Sequence, residues 1–263
     1  MTEFTKHAPG TFSWIELATT DTEAAKAFYS ALFGWEHEDV PAGEAGTYTM
    51  LRLGGRDVAA LNEQPKEQRS QGIPPHWTSY VTVADVEESA ANVKSLGGTV
   101  HVEPFDVMEV GRMAVIQDPT GAFFALWEPK THIGLGIANV SGALTWNELL
   151  TNDTDAAAKF YTGLFGWDAQ TREIPETTYT TFMRGERPAA GMMAIPEHWG
   201  DVPPYWGIYF AVDDCDAAAT RIKDLGGEIR VPPTDAPEAG RFASAVDPQG
   251  AGFAIIRLAN PPG

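Results

Sequence analysis

The sequence predicts an α+β protein made of four βαβββ modules, paired into two domains in tandem. Two observations carry the prediction. The stretch WIELATTDTEAAKAFYSALFGWE, Trp14 to Glu36, returns as WNELLTNDTDAAAKFYTGLFGWD, Trp146 to Asp168, with 14 of 23 positions identical at a constant offset of 132. Self-similarity of that length marks a duplication. Each copy also holds, twice, an Asp and a Gly thirteen residues apart: Asp21/Gly34, Asp85/Gly98, Asp153/Gly166 and Asp214/Gly227. Asp is a good helix N-cap because its carboxylate accepts the orphan N–H groups of the first turn. Gly suits the residue past a helix because it takes positive φ without a Cβ penalty.

Residues 12–18 (FSWIELA) predict a first strand, and 21–33 a helix whose Ala24, Ala25, Phe28 and Leu32 keep the helical period. Strands near 35–40, 46–53 and 57–62 follow, separated by the breakers Pro41-Ala42-Gly43 and Gly54-Gly55. Residues 63–76 are polar and proline-bearing and connect to the second module, with a strand at 77–83, a helix at about 86–96 and strands near 99–103, 112–117 and 122–128. This gives a first domain at 1–130, a linker at 131–142 marked by Gly, and a second domain at 143–263. The second domain repeats the order: strand 144–150, helix 154–165, strands near 167–173, 178–184 and 189–195, connector 196–205, strand 206–212, helix 215–225, and strands near 228–232, 241–246 and 251–258.

At 263 residues and 43% hydrophobic composition, the chain is long enough for two domains, each able to bury its own core. A net charge of −18 favours solubility and excludes nucleic acid as a partner, because phosphate contacts need Lys and Arg. No apolar run reaches the ~20 residues of a membrane span, and a lone Cys215 makes no internal disulfide. A cytoplasmic monomer or homodimer acting on a small molecule is the simplest expectation.

A paired βαβββ module, with Phe-Tyr late in its first helix followed by Leu-Phe-Gly-Trp, resembles the vicinal oxygen chelate superfamily of glyoxalases, bleomycin resistance proteins and extradiol dioxygenases. Asp118-Pro119-Thr120-Gly121 and Asp247-Pro248-Gln249-Gly250, each before a terminal strand, match that family's Asp-Pro-x-Gly turn. Within the family the chain is similar to the tandem two-domain proteins labelled glyoxalase-like or hydroxylase. The resemblance implies mixed sheets curled into two cups, each holding a small ligand. It also implies metal ligands seven residues before the capping Asp and seven after the Asp of the turn. Those positions hold Trp14, Thr78, Trp146, Gly207, Ala125 and Ala254, none an imidazole or carboxylate, and no cofactor is expected. A further ligand position, near Asn62 or Glu63, stays open. The six histidines show no HxH or HxxxH pairing; His76 shares a strand face with Thr78 at the cup's rim, opposite Tyr205 in the second copy.

Side chains two apart on a strand share a face. If the old ligand position faces the cup, Trp14 and Glu16 point inward, as do Trp146 and Glu148, Tyr80 and Tyr209, and Phe123 and Trp127. Such a cup suits a flat organic molecule carrying a cationic or hydroxyl group; equally, Trp14 and Trp146 can fill the space a metal vacated. Arg112 and Arg241 recur in GRMAVIQDP and GRFASAVDP, either as ion-pair residues or as anion clamps at the cup's edge. Three functions compete: a metal-free small-molecule binder; a metal-independent lyase, isomerase or hydroxylase with Glu16 and Glu148 as bases; and an interaction module with filled cups.

Overall fold

The computed structural model describes residues 2–43, 46–174 and 177–260. After β1 (Thr2–Glu3), the first module holds β2 (Phe12–Thr19), α1 (Thr22–Phe33), β3 (Glu36–Pro41), β4 (Thr47–Leu53) and β5 (Arg56–Glu63). A short α2 (Lys66–Ser70) lies in the connector, and the second module follows as β6 (His76–Thr82), α3 (Val86–Ser95), β7 (Thr99–Val107), β8 (Gly111–Gln117) and β9 (Phe123–Pro129). β10 (Ile137–Ala138) lies between the domains. The third module is β11 (Leu144–Thr151), α4 (Thr154–Phe165), β12 (Asp168–Ile174), β13 (Thr177–Arg184) and β14 (Arg187–Ala194). A 3-10 turn at Glu197–Trp199 precedes the fourth: β15 (Tyr205–Ala211), α5 (Cys215–Asp224), β16 (Glu228–Ala236), β17 (Gly240–Val246) and β18 (Gly252–Leu258). Among the described residues, no helix is long and apolar enough to cross a membrane.

Each pair of modules makes one open eight-stranded sheet, in the order β3-β4-β5-β2-β6-β9-β8-β7 and β12-β13-β14-β11-β15-β18-β17-β16. The sheets are mixed. β2 runs antiparallel to β6 and parallel to β5, and β11 runs antiparallel to β15 and parallel to β14. The first strand of every module therefore sits at the middle of its sheet, which places Glu16 and Glu148 centrally.

The four module helices, α1, α3, α4 and α5, start as their sequence predicts. The carboxylates of Asp21, Asp85, Asp153 and Asp214 accept the N–H groups of Ala24, Glu88, Ala156 and Ala217 at 3.0, 2.9, 2.9 and 3.0 Å. The ends follow two patterns. Gly34 and Gly166 take the expected positive φ, of 74° and 66°. After α3 and α5, by contrast, the preceding Gly97 and Gly226 do so. Gly98 and Gly227 are held to glycine by space, since a Cβ on Gly98 would lie 2.8 Å from Phe160 and one on Gly227 2.9 Å from the Val246 carbonyl.

The two domains share their apolar cores. One apolar cluster joins Phe28, Tyr29, Phe33 and Trp35 of the first domain to Phe210, Ile222, Phe253 and Ile255 of the second. Its mirror joins Phe160, Tyr161 and Trp167 to Val86, Val93, Ile116 and Phe124. The polar contacts reciprocate as well. Tyr29 donates to Asp247 at 3.0 Å and accepts from the indole of Trp77 at 3.2 Å; Tyr161 donates to Asp118 at 2.8 Å and accepts from Trp206 at 2.8 Å. The other oxygen of Asp118 accepts the N–H groups of Thr120, Gly121 and Ala122, so a single carboxylate both shapes its turn and fastens the neighbouring domain. Trp35 and Trp167 complete the seam, donating to the carbonyls of Gly142 and Gly10 at 2.7 and 3.0 Å. The linker region is also packed: β10 pairs with β1, and the Leu135 N–H reaches the Ser13 carbonyl at 2.7 Å.

Candidate functional site

On β2, Ile15 and Leu17 are fully buried, so strand alternation turns Trp14 and Glu16 the other way, into the cup. Glu16 is held entirely by side chains. Its Oε2 accepts the phenol O–H groups of Tyr48 at 2.8 Å and Tyr80 at 3.2 Å, and its Oε1 accepts the amide of Asn62 at 2.7 Å. The indole of Trp14 donates to the Tyr48 hydroxyl at 3.1 Å. The second cup repeats the device: Tyr179 donates to Oε2 of Glu148 and Tyr209 to Oε1, both at 2.8 Å, and the Trp146 indole donates to the Tyr179 hydroxyl at 3.1 Å. Each site is a chain from indole to phenol to carboxylate, closed by a second phenol from the neighbouring strand.

Burial pushes both carboxyls above the ordinary carboxylate range, and the phenol hydrogen bonds pull them part of the way back. The same burial, and the facing carboxylate, push Tyr48, Tyr80, Tyr179 and Tyr209 upward, so the four phenols remain O–H donors. The cups differ at their third donor. Asn62 stands opposite Tyr48, whereas Met193 stands opposite Tyr179. His76 lends Glu16 some positive potential, while Glu148 faces Tyr205, whose own pKa is pushed up to about 12.

The residues singled out in the sequence fall into two groups. Trp14, Glu16 and Tyr80 come together in the first cup, where Trp127 packs edge-on to Tyr80 at 6.4 Å. Trp146, Glu148 and Tyr209 come together in the second, with Phe242 6.3 Å from Tyr209. Phe123, by contrast, is 47% exposed and packs against His101, because it begins its strand beyond the cup's wall. Arg112 and Arg241 form ion pairs, one of the two roles the sequence left open for them. Arg112 shares a strand face with Ala114 and Ile116, buried beneath α3, and pairs with Glu87 at 2.7 Å. Arg241 shares one with Ala243 and Ala245 and pairs with Asp216 at 2.7 Å. Both fasten the first turn of a helix on the side away from the cup. Tyr48, Tyr179 and Asn62 went unrecognised as partners of Glu16 and Glu148. A signal existed in the Tyr of TYTM and TTYT, opening the third strand of each domain, but its offset is 131.

A divalent metal needs several lone pairs converging on one point. Here the groups around each carboxylate are O–H and N–H donors whose hydrogens point at it. Among the described residues, no three His, Cys, Asp or Glu side chains are grouped to hold a metal ion. The donor set therefore does not fit the metal that the resemblance implies. Two open surface depressions, of about 290 Å³ beside Arg241 and Arg257 and about 230 Å³ between Gly10 and Phe165, lie away from both carboxylates.

Comparison with known proteins agrees with this architecture. The profile of the Glyoxalase/Bleomycin resistance protein/Dioxygenase superfamily matches residues 11–126 and again 143–255. A Mycobacterium tuberculosis protein bearing the provisional name glyoxylase CFP32 is 41% identical over 98% of this chain and 99% of its own. The anthracycline biosynthesis protein DnrV of Streptomyces peucetius is 35% identical over 97% of this chain and 95% of its own. The solved 2,3-dioxygenase LapB from Pseudomonas sp. KL28 shares the fold at a TM-score of 0.67 and 14% identity, covering 96% of this chain and 93% of that one. With four modules in the same order and the profile matched once per domain, the chain belongs to the Glyoxalase/Bleomycin resistance protein/Dioxygenase superfamily.

Proposed function

We propose that this protein binds a planar organic molecule in an aromatic-walled cup, without a metal. The observation that carries the proposal is the cluster itself: a Trp, two Tyr and a carboxylate, built twice around the central strands. A carboxylate on an aromatic face costs several kcal/mol unless hydrogen-bonded. Here its partners are phenols lying on the same face, so the site offers a ligand π-surface and a hydrogen-bond acceptor together. The likeness to an anthracycline biosynthesis protein supports a polycyclic aromatic ligand.

A thermal-shift screen of planar aromatic metabolites tests the proposal. A ligand at a hundredfold its Kd adds about 2.7 kcal/mol, or roughly 5–10 °C for a chain of this size. If no planar aromatic shifts the transition or quenches tryptophan fluorescence, the proposal fails.

A second function, a metal-independent lyase, isomerase or hydroxylase-like step, draws on the raised pKa of Glu16 and Glu148, since a carboxyl moved toward neutrality is a better general base. It requires turnover in the presence of chelator that is abolished by Glu16→Gln or Glu148→Gln. Binding without turnover leaves only the first function.

A further inference from the structure

The two cups are not equivalent. In the first, the aromatic wall apart from the partly exposed Tyr48 is already covered. Trp14, Tyr80 and Trp127 are 3, 5 and 5% exposed. The segment between the domains lies against them: His132 sets its ring edge-on to Trp14 at 4.7 Å, and its carbonyl accepts the Trp127 indole at 3.0 Å. Leu135 joins the same cluster, with Phe4, Val110 and Met113 packed on it. Glu16 keeps partial access to water, a third donor in Asn62 and the potential of His76.

The second cup has the opposite balance. Trp146, Tyr179 and Tyr209 are partly exposed, Tyr205 is 39% exposed, and Ile256 stands where the first cup has Trp127. None of these aromatics belongs to either core cluster. Their carboxylate is buried, with Glu148 only 7% exposed. Among the described residues it has two donors, both neutral phenols, and the cation beside them, Arg172, lies over the ring of Tyr179 at 5.9 Å and is paired with Glu238. A buried carboxylate without a counter-charge is expensive, and a neutral hydrogen bond offsets only part of that cost. A cation over aromatic faces is favoured by their quadrupoles, and more so when it is desolvated.

Building on the proposed binding function, we infer that the second cup is the ligand-accepting one and that its ligand is an organic ammonium ion. The ammonium takes the acceptor capacity that Tyr179 and Tyr209 leave unused on Glu148, and its organic part lies on Trp146, Tyr179, Tyr205 and Tyr209. A hydroxyl in the same place would satisfy the hydrogen bond but leave the charge unmet.

Two probes of nearly the same shape test this on the intact chain: 2-naphthylmethylammonium and neutral 2-naphthylmethanol, titrated by calorimetry. Wild type should bind the ammonium on the order of tenfold more tightly, and Glu148→Gln should erase that preference. Equal or tighter binding of the alcohol to wild type overturns the inference without involving any variant. So does a preference that survives Glu148→Gln, or one that is lost in Glu16→Gln instead, which would move the cation to the first cup. In each of these cases a planar neutral ligand still binds and the proposed function stands. If neither probe nor any planar aromatic binds, both fall together.

Discussion

Replacing Tyr161 by Phe is the most informative single change at the seam. Tyr161 is fully buried, and its hydroxyl donates to Asp118 and accepts from Trp206, both at 2.8 Å. Phe keeps the ring and its packing against Phe124, Phe182 and Trp206, so the loss is confined to one oxygen. A hydrogen bond to a charged group contributes about 1.5–3 kcal/mol, and leaving the Trp206 N–H unsatisfied costs about 1–3 more. The sum, roughly 2.5–6 kcal/mol, corresponds to about 5–24 °C in Tm at ~2–4 °C per kcal/mol for chains of this size. Calorimetry should show one transition, moved down as a whole, because each apolar cluster draws side chains from both domains. Tyr29→Phe should cost somewhat less, its contacts being longer at 3.0 and 3.2 Å. A drop below about 2 °C, or two separate transitions of which only one moves, would refute the shared core.

Three further outcomes are expected. Because burial holds Glu148 above its ordinary pKa of 4.5, the folded chain binds that proton more tightly than the unfolded chain, and the stability present below 4.5 is lost as the pH rises through the folded value. Glu148→Gln, followed by thermal melts from pH 4 to 7, should therefore gain on wild type as the pH rises; a flat difference would show that the carboxylate carries no such penalty. Gly191→Ala would place a Cβ 2.0 Å from the Tyr179 hydroxyl and 2.8 Å from the Trp146 indole nitrogen. It should cost about 1–3 kcal/mol by overpacking and weaken binding in the second cup, to be read by melting and by titration of the same variant. Asp153→Ala removes the cap of α4 and should lower stability by about 1 kcal/mol, measurable by denaturant titration with an unchanged m-value.

The elements were legible in the sequence because their signals are local. A capping Asp, a helical apolar period and a closing Gly need only a dozen consecutive residues, and β2 predicted at 12–18 is found at Phe12–Thr19. Strand parity also carried some way into the site, bringing Trp14 and Glu16 together with Tyr80. It held the answer for Arg112 too, since Ala114 and Ile116 mark the face on which it lies. Tyr48 and Tyr179 were obscured by a one-residue slip in the repeat, which takes the offset from 132 to 131.

What stayed hidden is the partner of each apolar face. Periodicity says that Phe28 and Tyr29 are buried, and nothing local says that Phe253 and Asp247 of the other domain do the burying. Yet the repeated letters bear on this once the geometry is known. A seam in which each half offers the other the same residues is isologous, so a change in one copy is not matched by its partner unless both change. Phe28/Phe160, Tyr29/Tyr161, Phe33/Phe165 and Trp35/Trp167 form that seam, and the repeat keeps all four pairs identical. Trp14/Trp146 and Glu16/Glu148 belong to the cups, which need no such reciprocity, and their surroundings have in fact diverged, with Asn62 against Met193 and Trp127 against Ile256. Identity in the helix half of the repeat is thus accounted for by assembly of the two domains. Identity in the strand half, where the neighbours differ and the indole–phenol–carboxylate chain does not, is what assembly leaves unexplained.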